Sequence, residues 1–200
     1  MRVFFDVGAN DGYTFLDLAS KNTDVIVYAF EPTPHLCNII KSKIQHLNNY
    51  ILIEKAVSNF EGKSIFNVAG QANWGCSSLL QFSDKSKTEW PGRTDFVVTD
   101  KIEVDVIRLD NFIQQNSVKE IEFLHIDTQG SDLDVLRGLG KYIDIVKHGV
   151  IEAANKEDIL YIGQNTKDEC MNFLQEHGFK IEEMWCNDDL CNEINIRFLK

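Results

Sequence analysis

No apolar run in the 200-residue chain approaches the ~18 residues needed to cross a bilayer. The first residues, Met1-Arg2-Val3-Phe4-Phe5-Asp6, offer one basic side chain and then an acid inside the apolar stretch, so a secretory leader is not expected. There is no N-x-S/T sequon and no C-x-x-C. The five cysteines, Cys37, Cys76, Cys170, Cys186 and Cys191, are an odd number, and no His/Cys set at zinc spacing accompanies them. Reduced thiols in a cytoplasmic protein are the expectation. Positive charge is scarce, with 20 Lys+Arg against 31 Asp+Glu and a net charge of −11. That balance argues against a nucleic-acid backbone or an anionic membrane surface as the main partner. Internal repeats and low-complexity tracts are missing too.

What remains is ordinary soluble usage, 44% hydrophobic and 26% charged. A chain of this length reads as one domain over residues 1–200, large enough to bury roughly 70% of its unfolded surface. Its oligomeric state is not written in the composition.

Short β-rich runs alternate with helical stretches. Val3–Val7 reads as a buried strand ending at Gly8, and Tyr13–Ser20 places Phe15, Leu16 and Ala19 on one helical face. Val25–Phe30 is a second strand, and a helix from Pro34 to about Leu47 follows. Tyr50–Val57 is a third strand. Lys63–Val68 and Lys101–Arg108 look like further strands, separated by a polar stretch, Gln81–Asp100, that reads as a long loop. Leu109–Gln115 is a short helix, and Ile121–Asp127 is the fourth core strand. Ser131 is placed to cap a helix ending near Gly138 or Gly140, with Asp132 and Asp134 in its first turn. Ile145–Glu152 is a fifth strand, and Thr166-Lys-Asp-Glu169 is a capping box for a helix stopping at Gly178. Phe179–Met184 and Glu193–Leu199 close the chain as a hairpin through Asn187-Asp188-Asp189. The βαβαβ opening calls for right-handed crossovers, a parallel sheet and a doubly wound α/β fold with an antiparallel edge.

In such a sheet ligands bind beyond the carboxyl ends of the strands, at the switch point. Strand one ends in Asp6-Val7-Gly8-Ala9-Asn10-Asp11-Gly12, a turn whose glycines let backbone approach a ligand. It is neither G-x-G-x-x-G nor G-x-x-x-x-G-K-S/T, which weakens a dinucleotide or phosphate reading. An ordinary tight turn explains the glycines equally well. Strand two ends in Glu31, an acid able to accept from both hydroxyls of a ribose, or else a simple strand-end charge. Together the two features favour an adenosine-type ligand without a pyrophosphate clamp, which points to S-adenosylmethionine.

Four motifs in order then carry a resemblance. They are Phe5-Asp6-Val7-Gly8-Ala9-Asn10-Asp11-Gly12-Tyr13-Thr14, Phe30-Glu31-Pro32-Thr33-Pro34, Ala56-Val57-Ser58 with Gly62 and later Ser77-Ser78-Leu79, and Ile126-Asp127-Thr128-Gln129-Gly130-Ser131-Asp132 running on to Gly138. Over residues 3–153 the chain resembles the FkbM family of S-adenosylmethionine-dependent methyltransferases. The resemblance implies a Rossmann-like class I methyltransferase fold, with a mostly parallel seven-stranded sheet and an antiparallel C-terminal edge. It implies that Asp6 steadies the glycine loop and that Gly8, Ala9, Asn10 and Gly12 face the methionine part, with Tyr13 and Thr14 completing the motif. Glu31 would hold the ribose, Ala56 and Val57 would lie beside adenine, and Ser77 and Ser78 would touch cofactor or acceptor. The family is associated mainly with O-methylation of sugars and glycan-like products, so a carbohydrate acceptor is the leading expectation. No residue rules out another small molecule, a lipid or a protein, or a non-catalytic module that keeps the fold.

Two departures stand out. His125 occupies a position where the family often has Lys, and no helix precedes strand one. An open acceptor side, suited to a sugar at the end of a larger glycan, is the expectation from the second. For chemistry, Asp127 and Glu152 close adjacent strands. With Asp132 or Asn155 they could form an oxygen-rich Mg²⁺ or Mn²⁺ site, or Asp127 could act as base while Glu152 orients the acceptor. The plain alternative is a helix cap and a strand-end charge. His125, two residues before Asp127, reads as a base on the same side of the strand or as a packed strand histidine. Trp74 is either a platform for a sugar's C–H face or core. The net charge of −11 takes on meaning if Asp6, Glu31, Asp127 and Glu152 surround one crevice that draws a cationic sulfonium.

Overall fold

The chain builds β1 (Arg2–Val7), α1 (Tyr13–Lys21), β2 (Val25–Phe30), α2 (Pro34–Ile44), β3 (Tyr50–Ile53), β4 (Ala56–Val57), β5 (Gly62–Ala69) and α3 (Ser86–Glu89). It continues with β6 (Val98–Ile107), α4 (Leu109–Gln115), β7 (Ile121–Ile126), α5 (Asp132–Gly138), β8 (Val146–Ala154), α6 (Lys167–Glu176), β9 (Lys180–Cys186) and β10 (Glu193–Leu199). The computed structural model describes residues 1–70, 74–187 and 189–200. Residues 71–73 of the Gly70–Gly75 stretch and Asp188 of the closing turn lie outside them.

Seven strands form one sheet in the order β3-β2-β1-β7-β8-β10-β9, in which β10 alone runs antiparallel, pairing with β8 on one side and β9 on the other. The order reverses between β1 and β7, which lie side by side in parallel, so the switch point falls where their carboxyl ends meet. Period-2 alternation splits the core in two. Phe5 packs edge-on to Tyr28, Phe30 and Phe112 on the face covered by α4, α5 and α6. Phe4, one residue earlier, meets Phe15 of α1 on the other face, among Val25, Val27 and Ile40. Each such phenyl ring contributes roughly 1.5–3 kcal/mol by leaving water. Among the described residues no helix is long and apolar enough to cross a membrane.

Three expectations are corrected. The single third strand, Tyr50–Val57, is two strands: β3 pairs with β2, while Ala56 and Val57 leave the main sheet to pair with Val106 and Ile107. They join a second sheet, β4-β6-β5, inserted between β3 and β7. The stretch Gln81–Asp100 is not an open loop. It carries α3, and its Phe82, Trp90 and Phe96 pack with Tyr161. Finally, Cys186 and Cys191 are bonded, against the expectation of reduced thiols. The antiparallel pairing of β9 with β10 brings their Cα atoms to 4.8 Å, a proximity set by hairpin register and invisible as a spacing motif. Cys37, Cys76 and Cys170 are free.

Candidate active site

The crevice opens at the switch point. Its floor depends on glycine. The Gly8 and Ala9 N–H groups both donate to the Phe30 carbonyl at 3.0 Å, which turns the chain sharply off β1. Gly8 adopts φ +84°, and a Cβ there would stand 1.8 Å from the Asp127 carbonyl oxygen. Only glycine lets the β1 loop lie against the end of β7.

Glu31 ties that loop to the β2 end. Its Oε2 accepts from the Asn10 N–H at 2.9 Å and its Oε1 from the Thr33 N–H at 2.8 Å. Burial pushes its carboxyl up to about 7, while the Thr33 side chain and then those N–H donors pull the other way. Each oxygen keeps a lone pair for a ligand hydroxyl. Beside it, Thr33 lines the crevice, and its buried hydroxyl lies by the Glu31 carboxylate without a well-formed hydrogen bond. Leu36, Ala56, Val57, Phe66 and Leu79 make an apolar slot further along. Trp74 and its neighbour Gly75 border the crevice opposite, with the indole 4.2 Å from the His35 ring.

Of the sequence candidates, Gly8, Asn10, Glu31, Ala56, Val57 and Asp127 line this crevice. Others do not. Ala9 belongs to the core under α1. Gly12 packs against Ile40 and Tyr50, and the Tyr50 hydroxyl donates to its carbonyl. Tyr13 and Thr14 are exposed on α1, turned away from the crevice because helix geometry sends the first turn outward. Ser78 is a clasp. Its hydroxyl donates to the Gln129 carbonyl at 2.6 Å and accepts from the Leu80 N–H, holding the inserted sheet over the β7 end. Ser77, which does line the crevice, accepts from the Ala69 N–H.

Asp6 and His125 pair with each other across β1 and β7, Nδ1 to Oδ1 at 2.9 Å, and neither lines the crevice. Burial lowers the imidazole's basicity, but the bond and charge of Asp6 outweigh it and hold His125 in its protonated form more strongly than usual. The shared-side argument for His125 and Asp127 fails because β7 ends at Ile126. Beyond that residue strand alternation no longer governs where a side chain points. His125 keeps strand parity and faces Phe15 of α1. Asp127 turns into the crevice.

At the ends of β7 and β8 the carboxylates are joined by a residue the motif reading quoted without a role. Gln129 Nε2 donates to Asp127 Oδ1 at 2.7 Å and to Glu152 Oε2 at 2.9 Å. Asn187 donates to Glu152 Oε1 at 2.6 Å. Glu152 is enclosed, with burial and the nearby Asp127 pushing its carboxyl well up. Ser131 stands at the N-cap of α5 without capping it. Asp132 takes over that turn, accepting from the Thr128 and Gly130 N–H groups at 2.6 and 3.0 Å. A divalent ion does not fit here. An amide N–H donor sits between the two carboxylates where a cation needs a lone pair, and Asp132 spends its oxygens on backbone. No group of three or more His, Cys, Asp or Glu side chains suited to a metal occurs among the described residues.

A family model described as the methyltransferase FkbM domain matches residues 6–181. The chain belongs to the FkbM methyltransferase family. It is 28% identical over 170 residues to the 2-O-methyltransferase NoeI of Sinorhizobium fredii, covering 81% of this chain and 66% of that one. It is 23% identical over 160 residues to Methyltransferase 1 of Beauveria bassiana, covering 76% and 64%. The chain thus spans about two thirds of the length of both relatives. Among solved structures, Aeropyrum pernix fibrillarin with natively bound S-adenosylmethionine superposes with a TM-score of 0.56 at 10% identity, over 99% of this chain and 66% of that one. At that identity the likeness is one of fold: the FkbM domain here is a class I methyltransferase fold.

Proposed function

We propose that this FkbM-family chain transfers a methyl group from S-adenosylmethionine to a hydroxyl oxygen, and that the acceptor is a neutral sugar. The observation that carries the cofactor is the pairing of Glu31 with the buried Thr33 hydroxyl at the β2 end. A buried carboxylate with spare lone pairs beside a buried hydroxyl without a well-formed hydrogen bond suits the vicinal hydroxyls of a ribose. The slot of Leu36, Ala56, Val57, Phe66 and Leu79 suits adenine, and the Gly8–Asn10 backbone the methionine part. When bound, the sulfonium supplies an electrophilic methyl: a carbon–oxygen bond forms as the carbon–sulfur bond breaks, its electron pair passing to sulfur. The chain's own work is to position the acceptor and take its proton. Asp127 lines the crevice and is the carboxylate placed to receive that proton.

Three considerations support the sugar. Trp74, about 38% exposed beside His35, gives an aromatic face at the mouth for a sugar's C–H side. Glu31 and Asp127 disfavour an anionic acceptor, as does the net charge of −11. A relative is named a 2-O-methyltransferase. The test has two stages. Calorimetry should show saturable binding of S-adenosylmethionine and S-adenosylhomocysteine. Labelled methyl should then pass to at least one of a set of rhamnose-, fucose- and glucose-terminated glycosides, with no dependence on added Mg²⁺ or Mn²⁺. Label appearing only on proteins or lipids would remove the sugar, and absence of cofactor binding would remove the whole reading.

A further inference from the structure

We propose that Gln129 is a positioning residue that keeps a single proton on the Glu152 side of the carboxylate pair and so leaves Asp127 free to act as base. The inference rests on the methyl-transfer reading for its catalytic consequence, but the proton placement is a property of the protein alone. Both N–H bonds of the Gln129 amide are committed, one to Asp127 and one to Glu152. Two carboxylates held on one amide nitrogen disfavour double ionisation, so one of them keeps a proton. Glu152 is the member enclosed on every side. Asp127 from the β7 end, Glu193 of β10 and Asp132 of α5 all press negative charge on it, and this with burial outweighs the N–H bonds that Gln129 and Asn187 give its oxygens. Asp127 borders the crevice, accepts from Gln129 and lies within hydrogen-bond reach of the Glu152 carboxyl. The proton therefore rests on Glu152, and Asp127 stays available to the acceptor.

Three separate devices hold Gln129 in place. Its backbone sits at φ +57°, a left-handed conformation a glutamine adopts only when its surroundings impose it. Asp132 imposes it by accepting from Thr128 before it and Gly130 after it. The Tyr161 hydroxyl lies 2.8 Å from both Gln129 Oε1 and the Cys76 carbonyl oxygen and shares its one proton between them; together with the acceptor oxygens of Asp127 and Glu152 this favours an amide whose N–H₂ faces the carboxylates. Tyr161 can come that close because residue 130 is glycine. A Cβ at Gly130 would stand 2.9 Å from the Tyr161 ring. Tyr161 is fixed in turn by Gln164, whose Oε1 accepts from the Tyr161 and Leu160 N–H groups. A turn, a glycine and a buried tyrosine converge on one amide in the crevice wall.

The experiment uses the full chain and Gln129→Met, which keeps length and removes both N–H groups. Tyr161→Phe, which removes the hydroxyl shared between Gln129 Oε1 and the Cys76 carbonyl, covers the case in which Gln129→Met does not fold. With S-adenosylmethionine and the best glycoside of the set above, Gln129→Met should bind S-adenosylhomocysteine within about threefold of wild type. Its kcat should fall at least tenfold at pH 7 and recover as pH is raised to 9, because a base stripped of its N–H donor holds a proton to higher pH. Tyr161→Phe should move the same way by a smaller factor. Equal loss of kcat at every pH, or an unmoved profile, overturns the proposal. An acceptor-free measurement runs beside it: ¹³C NMR of labelled Asp and Glu carboxyl carbons, assigned with Asp127→Asn and Glu152→Gln. Glu152 should read as the protonated acid at pH 7 in wild type, and its titration should move to higher pH in Gln129→Met, which removes an N–H donor from its Oε2. If that titration moves while no glycoside is methylated, the positioning stands and the sugar reading fails. If methyl transfer is found and the titration does not move, the positioning is wrong.

Discussion

Glu31 and Glu152 stand at strand ends on opposite sides of the switch point, each about 4% exposed, and they are satisfied in opposite ways. Glu31 accepts from two backbone N–H groups, those of Asn10 and Thr33. Glu152 accepts from two side-chain amides, those of Gln129 and Asn187. Backbone donors come with the path of the chain and survive most substitutions. Side-chain donors vanish with a single change. The cofactor half of the crevice is thus written into loop conformation, while the acceptor half is written into particular residues. On physical grounds the second half is the one free to diverge between relatives with different acceptors.

If that division is right, the cofactor half breaks only when its backbone path is broken. Gly8→Ala does so most severely, forcing a Cβ to within 1.8 Å of the Asp127 carbonyl at a φ of +84°. The overpacking and backbone strain should cost about 3 kcal/mol or more, lowering the melting temperature by roughly 10 °C in a domain of this size. Scanning calorimetry measures it, and a shift under about 2 °C would show the loop to be more plastic than its contacts imply. Glu31→Ala should come next. It strands two buried N–H groups and removes the ribose acceptor, weakening S-adenosylhomocysteine binding about 100-fold, or about 2.7 kcal/mol. A loss under threefold would transfer the ribose to another residue.

The same division explains what could be read from the sequence. The strand ends and Glu31 were legible because β1, β2 and β7 are short β-rich apolar runs, with Gly8, Glu31 and Asp127 directly after them. Gly8 was legible because only one residue type fits its conformation. Gln129 was not, since its role depends on Tyr161, 32 positions away, and on a left-handed backbone no local pattern announces in a glutamine. Ser78 misled for a related reason. A buried serine near a cofactor motif reads as a ligand contact, and its partner turns out to be the Gln129 carbonyl. His125 misled because parity was carried one residue past the end of its strand. Long-range side-chain pairing, and the second sheet formed by β4, β5 and β6, lay beyond what periodicity encodes.

The disulfide offers a way to loosen one half alone. Cys186 and Cys191 close a six-residue loop that carries Asn187 to Glu152. Opening so short a loop should cost about 2 kcal/mol on chain-entropy grounds, or roughly 4–8 °C in melting temperature. Adding a phosphine reductant should produce that shift while leaving S-adenosylhomocysteine affinity unchanged, because no described residue of the loop borders the crevice. A parallel loss of cofactor affinity would mean the two halves are mechanically coupled, and the division drawn above would fall.

The smallest expected effect is a dependence of cofactor binding on pH, and it tests the backbone-held carboxylate directly. Burial raises the Glu31 carboxyl to about 7, against the pull of the Thr33 and Asn10 N–H donors. Ribose hydroxyls donate to the ionised form, so that form binds and the protonated one must first lose its proton. Affinity should therefore be flat above about pH 8 and fall as pH drops through 7, approaching tenfold per unit, equivalent to about 1.4 kcal/mol. Titration calorimetry with S-adenosylhomocysteine at pH 6, 7, 8 and 9, in buffers of different ionisation enthalpy, reads both the affinity and the proton released. Glu31→Gln should bind weakly and without this slope. A wild-type affinity that stays level down to pH 6 would mean that Glu31 is already ionised in the free protein. The two backbone N–H groups would then be stabilising the charge more strongly than burial opposes it.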